Sequence, residues 1–323
     1  IIIGSGLGGL TCGYILLKNG YDVTILEQGG QIGGCLQCFY RKGAKFETGM
    51  HFIGSALPGQ TMDLLIHYFG LADSVRLSPL DTNGYNTVAI DGEQFTFPNG
   101  RDEFIEKMSQ YFPHQRDSLK KYMEIIERIS SASTLSSLTS EQRDLVAKTE
   151  YQTLSINSVM DEIFQDELLK KVLVGDLPLY SAELDKTPFT QHAYIMDFFN
   201  QSAFRIEGGS DAIAISLADN IKRLGGNIET RKRVVRIKCN ESKATGVETA
   251  DENFYDADYI ISTIHPNRLM EMLDTKLIRP AFRHRITSIP QTAGGFAVYL
   301  KFKDESMPYM NTNWYGYSNG TPW

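Results

Sequence analysis

The sequence lacks a long apolar run, a basic charge excess and a cysteine framework. No stretch of about 18 or more apolar residues occurs, so no membrane-spanning helix is expected. The net charge is -7 and the pI is about 5.5, which argues against binding to the phosphate backbone of nucleic acids. Four cysteines in 323 residues are too few and too scattered for a disulfide scaffold. The remaining composition is that of a globular chain with room for two domains.

The sequence does contain a dinucleotide-binding pattern in its first 34 residues. An apolar β-branched run over residues 1–3 leads into a glycine-rich turn over residues 4–9. A helical stretch follows as far as Lys18, and a second predicted strand closes on Glu27. This order of strand, turn, helix, strand and acidic residue is typical of the first βαβ unit of a Rossmann-type domain.

Each residue of this pattern has a physical task. Gly4 permits the tight turn, Gly6 lets the backbone approach a pyrophosphate, and Gly9 lets the helix pack close to the strand. The carboxylate of Glu27 can accept hydrogen bonds from ribose hydroxyls and would repel a 2′-phosphate. An NADP-type ligand is therefore not expected, whereas FAD and NAD both remain open.

A second glycine cluster over residues 28–34 favours FAD, because only the longer cofactor needs close backbone approach beyond the first turn. A mainly helical block follows, and a helix-then-strand pattern returns near residue 204. We predict an α/β fold with two domains. The boundaries are residues 1–70 and 204–275 for a discontinuous, Rossmann-like FAD-binding domain, and residues 71–203 and 276–323 for a mixed α+β substrate domain carrying a helical lid.

Three local patterns add detail to this outline. Alternating apolar residues on both sides of Asp91-Gly92 predict a β-hairpin. The Ser/Thr-rich residues 130–140 predict a connection without regular structure. The apolar residues within 291–303 predict a long strand of another sheet.

The residues resemble the FAD-dependent amine oxidase and phytoene desaturase family, and within it the retinol saturase branch and its bacterial relatives. The resemblance spans essentially the whole chain. The segments that carry it are Gly33-Gly34-Cys35, residues 46–54, Tyr111-Phe112-Pro113, residues 189–193, Gly208-Gly209-Ser210 and residues 312–315.

The resemblance implies FAD as the cofactor and gives roles to individual residues. Gly4, Gly6 and Gly9 would hold the pyrophosphate, and Glu27 the adenosine ribose. Gly33 and Gly34 would line the flavin end, Val234 would contact the adenine through its backbone, and Ser262 would lie near the cofactor within the segment 262–266. The other residues expected at the cofactor are Leu7, Gln28, Gly49, Met50 and His51.

Two features depart from the family pattern. Ile206 and Glu207 stand where members often carry a proline and a basic residue. The family also has a C-terminal glycine-rich FAD segment, which has no counterpart before Trp323. We therefore expect the C-terminal part of the second domain to be missing from this sequence.

The resemblance implies an oxidoreductase that acts on C=C or C–C bonds of a polyene lipid, either a retinoid or a carotenoid, as a saturase or a desaturase. Reduced flavin would supply hydride, and a side chain would supply the proton. His51 is the preferred candidate because it lies in a family-like loop, although it also suits hydrogen bonding to backbone beside the flavin. His192 and Tyr180 are the other candidates, and both suit a core or surface position better.

Two alternative functions stay open, and several absences are expected. The same scaffold supports amine oxidation. Cys35 and Cys38 suit a flavoprotein disulfide reductase, but the Gly-Cys-Ile-Pro continuation and a second nicotinamide-binding turn are lacking. No metal site is expected, because no second ligand pair has zinc-ribbon spacing. We expect a hydrophobic small-molecule substrate, no nucleic-acid partner and a cytoplasmic location, with peripheral membrane contact as an open alternative.

Overall fold

The computed structural model describes residues 1–133, 150–273, 275–292, 294–303 and 307–319. Within it the chain forms two compact units. Unit 1 contains residues 1–51, 66–76 and 206–299, and unit 2 contains residues 52–65, 77–205 and 300–323.

The regular elements of the described residues include both strands and helices. The strands are β1 (Ile2–Ile3), β2 (Thr24–Leu26), β3 (Cys38–Arg41), β4 (Ala44–Glu47), β5 (Ile53–Gly54), β6 (Leu77–Pro79), β7 (Asn86–Ile90), β8 (Glu93–Phe97), β9 (Ala203–Ile206), β10 (Asn227–Glu229), β11 (Val234–Cys239), β12 (Ala244–Thr249), β13 (Phe254–Asp256), β14 (Ile261–Ser262) and β15 (Asn313–Tyr317). The helices are α1 (Leu7–Lys18), α2 (Thr61–Tyr68), α3 (Arg101–Tyr111), α4 (Arg116–Ser131), α5 (Ile156–Ile163), α6 (Glu167–Leu173), α7 (Phe189–Gln201), α8 (Asp211–Arg223), α9 (Pro266–Met272) and α10 (Pro280–Thr287).

Unit 1 is organised around a four-stranded parallel sheet in the order β10–β2–β1–β14. Ile2 and Ile25 lie side by side in its centre and are almost fully buried, as expected for strands covered on both faces. Helices α1 and α8 pack together beside this sheet. The strand order and the βαβ start agree with the predicted Rossmann-like domain, and the three separate stretches of unit 1 agree with its predicted discontinuity.

Two smaller antiparallel elements complete the strands of unit 1. Strands β11, β12 and β13 form a three-stranded sheet, and β3 pairs with β4 as a hairpin. An apolar cluster joins this sheet to the parallel one, because Val234, Ile237 and Val247 pack with Ile3 and Leu26. The start of β11 is thereby fixed beside the carboxyl ends of β1 and β2.

Unit 2 contains a sheet in the order β15–β7–β8 and a second small sheet in the order β5–β9–β6. Strands β7 and β8 form the predicted hairpin, with Asp91 and Gly92 in the turn at φ 50° and 94°. Both angles are in the left-handed region, which a two-residue type I′ turn requires. The hairpin prediction is confirmed.

The helices of unit 2 enclose its main hydrophobic core. Helix α4 shows why they form, because its buried apolar residues recur every three or four positions along one face. The fully buried members of that face are Leu119, Tyr122, Ile126 and Ile129. They pack with residues of α3, α5, α6 and α7 in one continuous cluster. No helix within the described ranges is both long and apolar enough to cross a bilayer.

Besides short shifts at residues 71–76 and 204–205, the units differ from the predicted boundaries in two longer segments. Residues 52–65 belong to unit 2, where Phe52 joins the main core and Ile53 pairs with Phe204. Residues 276–299 belong to unit 1, where α10 packs against α9. Local pattern did not reveal either assignment, because both depend on contacts that are distant in sequence.

The predicted strand over residues 291–303 is wrong, because the described residues of that segment form no regular structure. Phe296 is 92% exposed, so its apolar side chain lacks the neighbours that a paired strand would give it. The predicted connection over residues 130–140 falls mostly outside the described residues, and its first two residues end α4.

Candidate functional site

The glycine-rich turn joins β1 to α1 at the carboxyl edge of the parallel sheet. Gly4 has φ 99°, a conformation that favours glycine, and its N–H donates to the carbonyl of Leu26 at 2.9 Å. A Cβ on Gly9 would stand 2.0 Å from the carbonyl oxygen of Gly4. The turn and the first helical turn therefore touch, which is the close packing that the sequence pattern requires.

The second glycine cluster docks onto the first one. The N–H of Gly33 donates to the carbonyl of Ser5 at 2.9 Å, and Gly33 forms a parallel bridge with Gly6. A Cβ on Gly34 would lie 3.1 Å from the Cα of Gly6. Two stretches that are separated by a helix and a strand thus form one backbone surface.

The carboxylate of Glu27 is held in place by the first turn and by its own loop. One oxygen accepts from the backbone N–H and the hydroxyl of Ser5, at 3.0 and 2.6 Å, and the other accepts from the N–H of Gly29 at 2.7 Å. A carboxylate has about four lone-pair directions, so capacity remains for a ribose hydroxyl. The predicted ribose acceptor is therefore fixed in position before any ligand binds.

A cleft of about 620 Å³ opens beside Glu27 in unit 1. Four of the predicted cofactor residues line it: Gly4, Glu27, Gln28 and Val234. Further lining residues were not predicted individually: Lys232, Arg233, His265 and Arg268. The signal for His265 was its place in the segment 262–266, whereas no sequence signal distinguished the basic residues near Val234 from ordinary surface residues.

The residues fit a flavin dinucleotide at this position. Helix α1 has no side-chain cap and no acidic residue in its first turn, so its N-terminal N–H groups are available to a diphosphate. A Cβ on Gly6 would meet nothing within 4 Å, so open space faces the backbone there. Leu7, the first residue of the helix, is 45% exposed at the same end.

Three more predicted cofactor residues lie next to the two glycine clusters. Met50 donates its N–H to the carbonyl of Cys35 at 3.2 Å, and a Cβ on Gly49 would lie 3.0 Å from the same oxygen. Ser262 pairs with Ile3 in the sheet, and its buried hydroxyl has no hydrogen-bond partner among the described residues. Gly49 and Met50 thus contact the second glycine cluster, while Ser262 lies in the strand beside the first.

Thr263 is a site residue that pattern reasoning did not single out. Its hydroxyl donates to the carbonyl of Ile3 at 3.0 Å and lies 3.3 Å from the carbonyl of Gly4. It also lies where a Cβ on Gly9 would make contact, at 3.1 Å. Thr263 therefore supports the phosphate turn from the adjacent strand.

His51, the preferred catalytic candidate, has a half-exposed side chain and is the last residue of the first stretch of unit 1, beyond β4. Its Nδ1 lies 3.3 Å from a carboxylate oxygen of Glu47, and the other oxygen of Glu47 accepts from the N–H of Ser210 at 2.8 Å. Nearby, Lys45 pairs with Asp211 at 2.7 Å. The two family-like segments around residues 46–54 and 208–210 are therefore joined by polar contacts.

Cys35 and Cys38 are both free thiols. Cys35 is exposed in the short 3-10 helix at residues 34–36, and Cys38 is buried on β3. The Cys38 sulfur lies 3.7 Å from the hydroxyl of Ser210. Cys38 thus has the environment of a packed small side chain.

The other two candidates for the proton donor meet in unit 2. His192 is 1% exposed on α7, and burial lowers its pKa to about 4. Its Nδ1 lies 2.9 Å from the hydroxyl of Tyr180, and its Nε2 lies 2.7 Å from the hydroxyl of Tyr122. His192 therefore lies in the core of unit 2, whereas Tyr180 is partly exposed.

Comparison with known proteins identifies the family. The family model described as flavin containing amine oxidoreductase matches residues 7–312, which is nearly the whole chain. The chain belongs to this family. The family assignment confirms the predicted relationship, and its flavin confirms FAD as the predicted cofactor.

Members and structures related to this flavin-containing family agree with that assignment. The chain is 27% identical to all-trans-retinol 13,14-reductase from Rattus norvegicus, over 98% of this chain and 56% of that protein. It is 25% identical to carotenoid 3,4-desaturase from Haloarcula japonica, over 80% and 55% respectively. The chain thus spans about half the length of the curated relatives that it matches.

Solved structures confirm the predicted fold class. A protein from Pyrococcus furiosus superposes with a TM-score of 0.66 at 21% identity, covering 90% of this chain and 65% of that one. Cyclohexylamine oxidase from Brevibacterium oxydans gives a TM-score of 0.58 at 18% identity, covering 88% and 62%. At these identities the likeness establishes the fold and nothing about substrates.

Proposed function

We propose that this chain is the FAD-binding part of an oxidoreductase that acts on C=C or C–C bonds of a polyene lipid, with a retinoid or a carotenoid as the substrate class. The observation that carries the proposal is the dinucleotide cradle of unit 1 in a chain whose relatives include a retinol reductase and a carotenoid desaturase. The hydrophobic substrate is part of the same proposal.

The residues of unit 1 have defined tasks in this proposal. When bound, the flavin supplies two-electron hydride chemistry, and the protein supplies binding and orientation. The N-terminus of α1 and the open backbone at Gly6 receive the diphosphate, and Glu27 receives the adenosine ribose. The role of His51 as the proton donor remains a prediction.

The first test asks whether the complete gene product binds FAD through this cradle. We expect the purified protein to show flavin absorbance bands. In Gly6→Ala the added methyl group projects into the space assigned to the diphosphate, so FAD affinity should fall by about tenfold or more, or 1.4 kcal/mol. The fold should persist, because nothing within 4 Å opposes the new Cβ. A colourless wild-type protein that gains no bands with added FAD would contradict the cofactor site.

The second test identifies the substrate class by anaerobic mixing. Reduced protein is mixed with all-trans-retinol or a carotenoid, and oxidised protein is mixed with the same compounds or with an amine. We expect the polyenes to change the flavin spectrum and the amine to leave it unchanged. A spectral change with the amine alone would replace the polyene proposal by amine oxidation.

A further inference from the structure

His265 lines the cofactor cleft of unit 1, and the proposed function gives its side chain no task. Among the basic residues that line the same cleft, Lys232 pairs with the carboxylate of Asp251, and Arg268 pairs with that of Glu271. The imidazole of His265 forms no ion pair within the described residues. It is therefore a polar group of the cleft that no neighbouring charge already engages.

The two residues before His265 hold its backbone beside the glycine-rich turn. Thr263 donates its N–H to the carbonyl of Ile3 at 3.0 Å, which continues the pairing of β14 with β1. The side chain of Ile264 lies 3.2 Å from the place that a Cβ on Gly4 would occupy. The backbone that leads into His265 is thus tied to the strand and to the turn that begin the dinucleotide-binding unit.

A hydrogen bond to the following helix fixes the imidazole ring as well. His265 is the N-cap residue of α9, and its Nδ1 accepts from the N–H of Asn267 at 3.2 Å. Pro266, the first residue of the helix, has no N–H, so this cap serves the first N–H that the helix offers. The guanidinium of Arg233, which also lines the cleft, has no comparable bond within the described residues.

The cap bond also decides which ring nitrogen carries the hydrogen. Nδ1 can accept from Asn267 only while it carries no hydrogen itself, and a neutral imidazole then has its one hydrogen on Nε2. Nε2 is therefore a donor. It has no hydrogen-bond partner in the part of the chain that the structure describes, and the residue is exposed. A fixed ring thus keeps one N–H available to a ligand of the cleft.

A donor in this cleft suits the adenosine diphosphate part of a flavin dinucleotide. The other lining residues include Gly4 of the phosphate turn, Glu27 as the ribose acceptor and Val234 at the position expected for the adenine. The carboxylate of Glu27 can only accept hydrogen bonds, whereas the oxygens of a diphosphate and the ring nitrogens of an adenine need donors. The Nε2–H of His265 complements the acceptor that Glu27 provides.

We propose that His265 is a cofactor-binding residue, which donates a hydrogen bond from Nε2 to the adenosine diphosphate part of FAD while its Nδ1 caps α9. This inference rests on the FAD cradle of the proposed function, and it is independent of the substrate because the cofactor alone makes the contact. The contribution of one such hydrogen bond is about threefold to tenfold in FAD affinity.

Two substitutions separate the tasks of the two ring nitrogens. In His265→Asn the amide oxygen can replace Nδ1 as the cap acceptor, and asparagine is a preferred N-cap residue, but the side chain is too short to replace Nε2. In His265→Gln the amide N–H reaches about as far as Nε2, but glutamine is not a preferred N-cap residue. One variant therefore keeps the cap and loses the donor, and the other keeps the donor and loses the cap.

The experiment measures affinity and stability on the flavin-free, full-length protein. FAD and ADP are titrated by calorimetry, and stability is followed by urea unfolding without ligand. His265→Asn should weaken the binding of FAD and of ADP by the same factor of about threefold to tenfold, with a urea midpoint no lower than that of wild type. His265→Gln should bind FAD within about twofold of wild type and unfold at a lower urea concentration.

The outcomes separate this inference from the proposed function. Wild-type affinity in His265→Asn, equal losses of affinity in the two variants, or a loss for FAD without one for ADP would each overturn the role of His265. A wild-type protein that binds FAD but whose reduced flavin reacts with no polyene overturns the proposed substrate and leaves the inference intact. A wild-type protein that binds neither FAD nor ADP overturns the cradle and the inference with it.

Discussion

Replacing Asp176 by asparagine should change how the stability of unit 2 depends on pH. Asp176 is 4% exposed, and burial raises its pKa from 3.8 to about 7. Between these values the folded state binds a proton that the unfolded state has lost, so stability falls as pH rises from about 4 to about 7. At about 1.4 kcal/mol per pH unit the full loss is about 4 kcal/mol, of which about 2.6 kcal/mol falls between pH 5 and pH 8.

The assay is urea unfolding of wild type and Asp176→Asn, followed by tryptophan fluorescence, to which Trp314 on β15 in unit 2 contributes. Asparagine carries no charge, so its contribution is independent of pH. The stability of the variant relative to wild type should therefore increase by about 2.6 kcal/mol from pH 5 to pH 8. A relative stability that stays constant over this range would refute the argument that a buried, raised-pKa carboxyl governs the profile.

His192 provides a control of opposite sign. Its pKa falls from 6.5 to about 4 on burial, so the unfolded state binds more protons and stability rises by about 3.4 kcal/mol as pH rises through that interval. In wild type this gain largely offsets the loss from Asp176. Asp176→Asn should therefore weaken the fall of stability with rising pH, and His192→Gln should steepen it. Asp197 adds a fall in both variants, because burial raises its pKa to about 6.

Three further predictions concern unit 1. Gly9→Ala should lower the free energy of unfolding by about 3 kcal/mol or more, because its Cβ would stand 2.0 Å from the carbonyl oxygen of Gly4. The control Gly8→Ala meets nothing within 4 Å and should raise the free energy of unfolding by up to about 1 kcal/mol. Equal midpoints of chemical denaturation in the two variants would contradict this prediction. Cys35→Ser and Cys38→Ser should both retain turnover, and its abolition in both would revive a thiol mechanism. His51→Gln should slow polyene-dependent flavin reoxidation by about a hundredfold if His51 donates the proton, and a rate within about threefold of wild type would exclude it as the donor.

Local patterns predicted the parts of the fold that local physics decides. The turn at Asp91-Gly92 and the first βαβ unit depend on backbone conformations that glycine permits, so the sequence reveals them directly. The apolar stripe of α4 is likewise visible from its spacing. The strand predicted near Phe296 is wrong because strand formation needs a partner, which no local pattern supplies.

The candidate site likewise has residues whose roles the sequence reveals and residues whose contacts only the fold creates. The roles of Gly4, Gly6 and Glu27 are readable because they recur at fixed spacing within one motif, although the bonds of Glu27 to Ser5 were not foreseen. The hydrogen-bonded group of His192, Tyr122 and Tyr180 was not predictable from the sequence. Its members are brought together by the packing of helices that are far apart in sequence, and each phenol alone resembles an ordinary core residue.

The docking of the two glycine clusters constrains how this site can change during evolution. The N–H of Gly33 donates to the carbonyl of Ser5, and a Cβ on Gly34 would stand 3.1 Å from the Cα of Gly6, closer than ordinary van der Waals contact. A side chain at position 34 would therefore press on the backbone of the first cluster, even though more than twenty positions separate the two in the sequence. Among related chains, position 34 should therefore stay glycine for as long as the first turn keeps its place in the cradle.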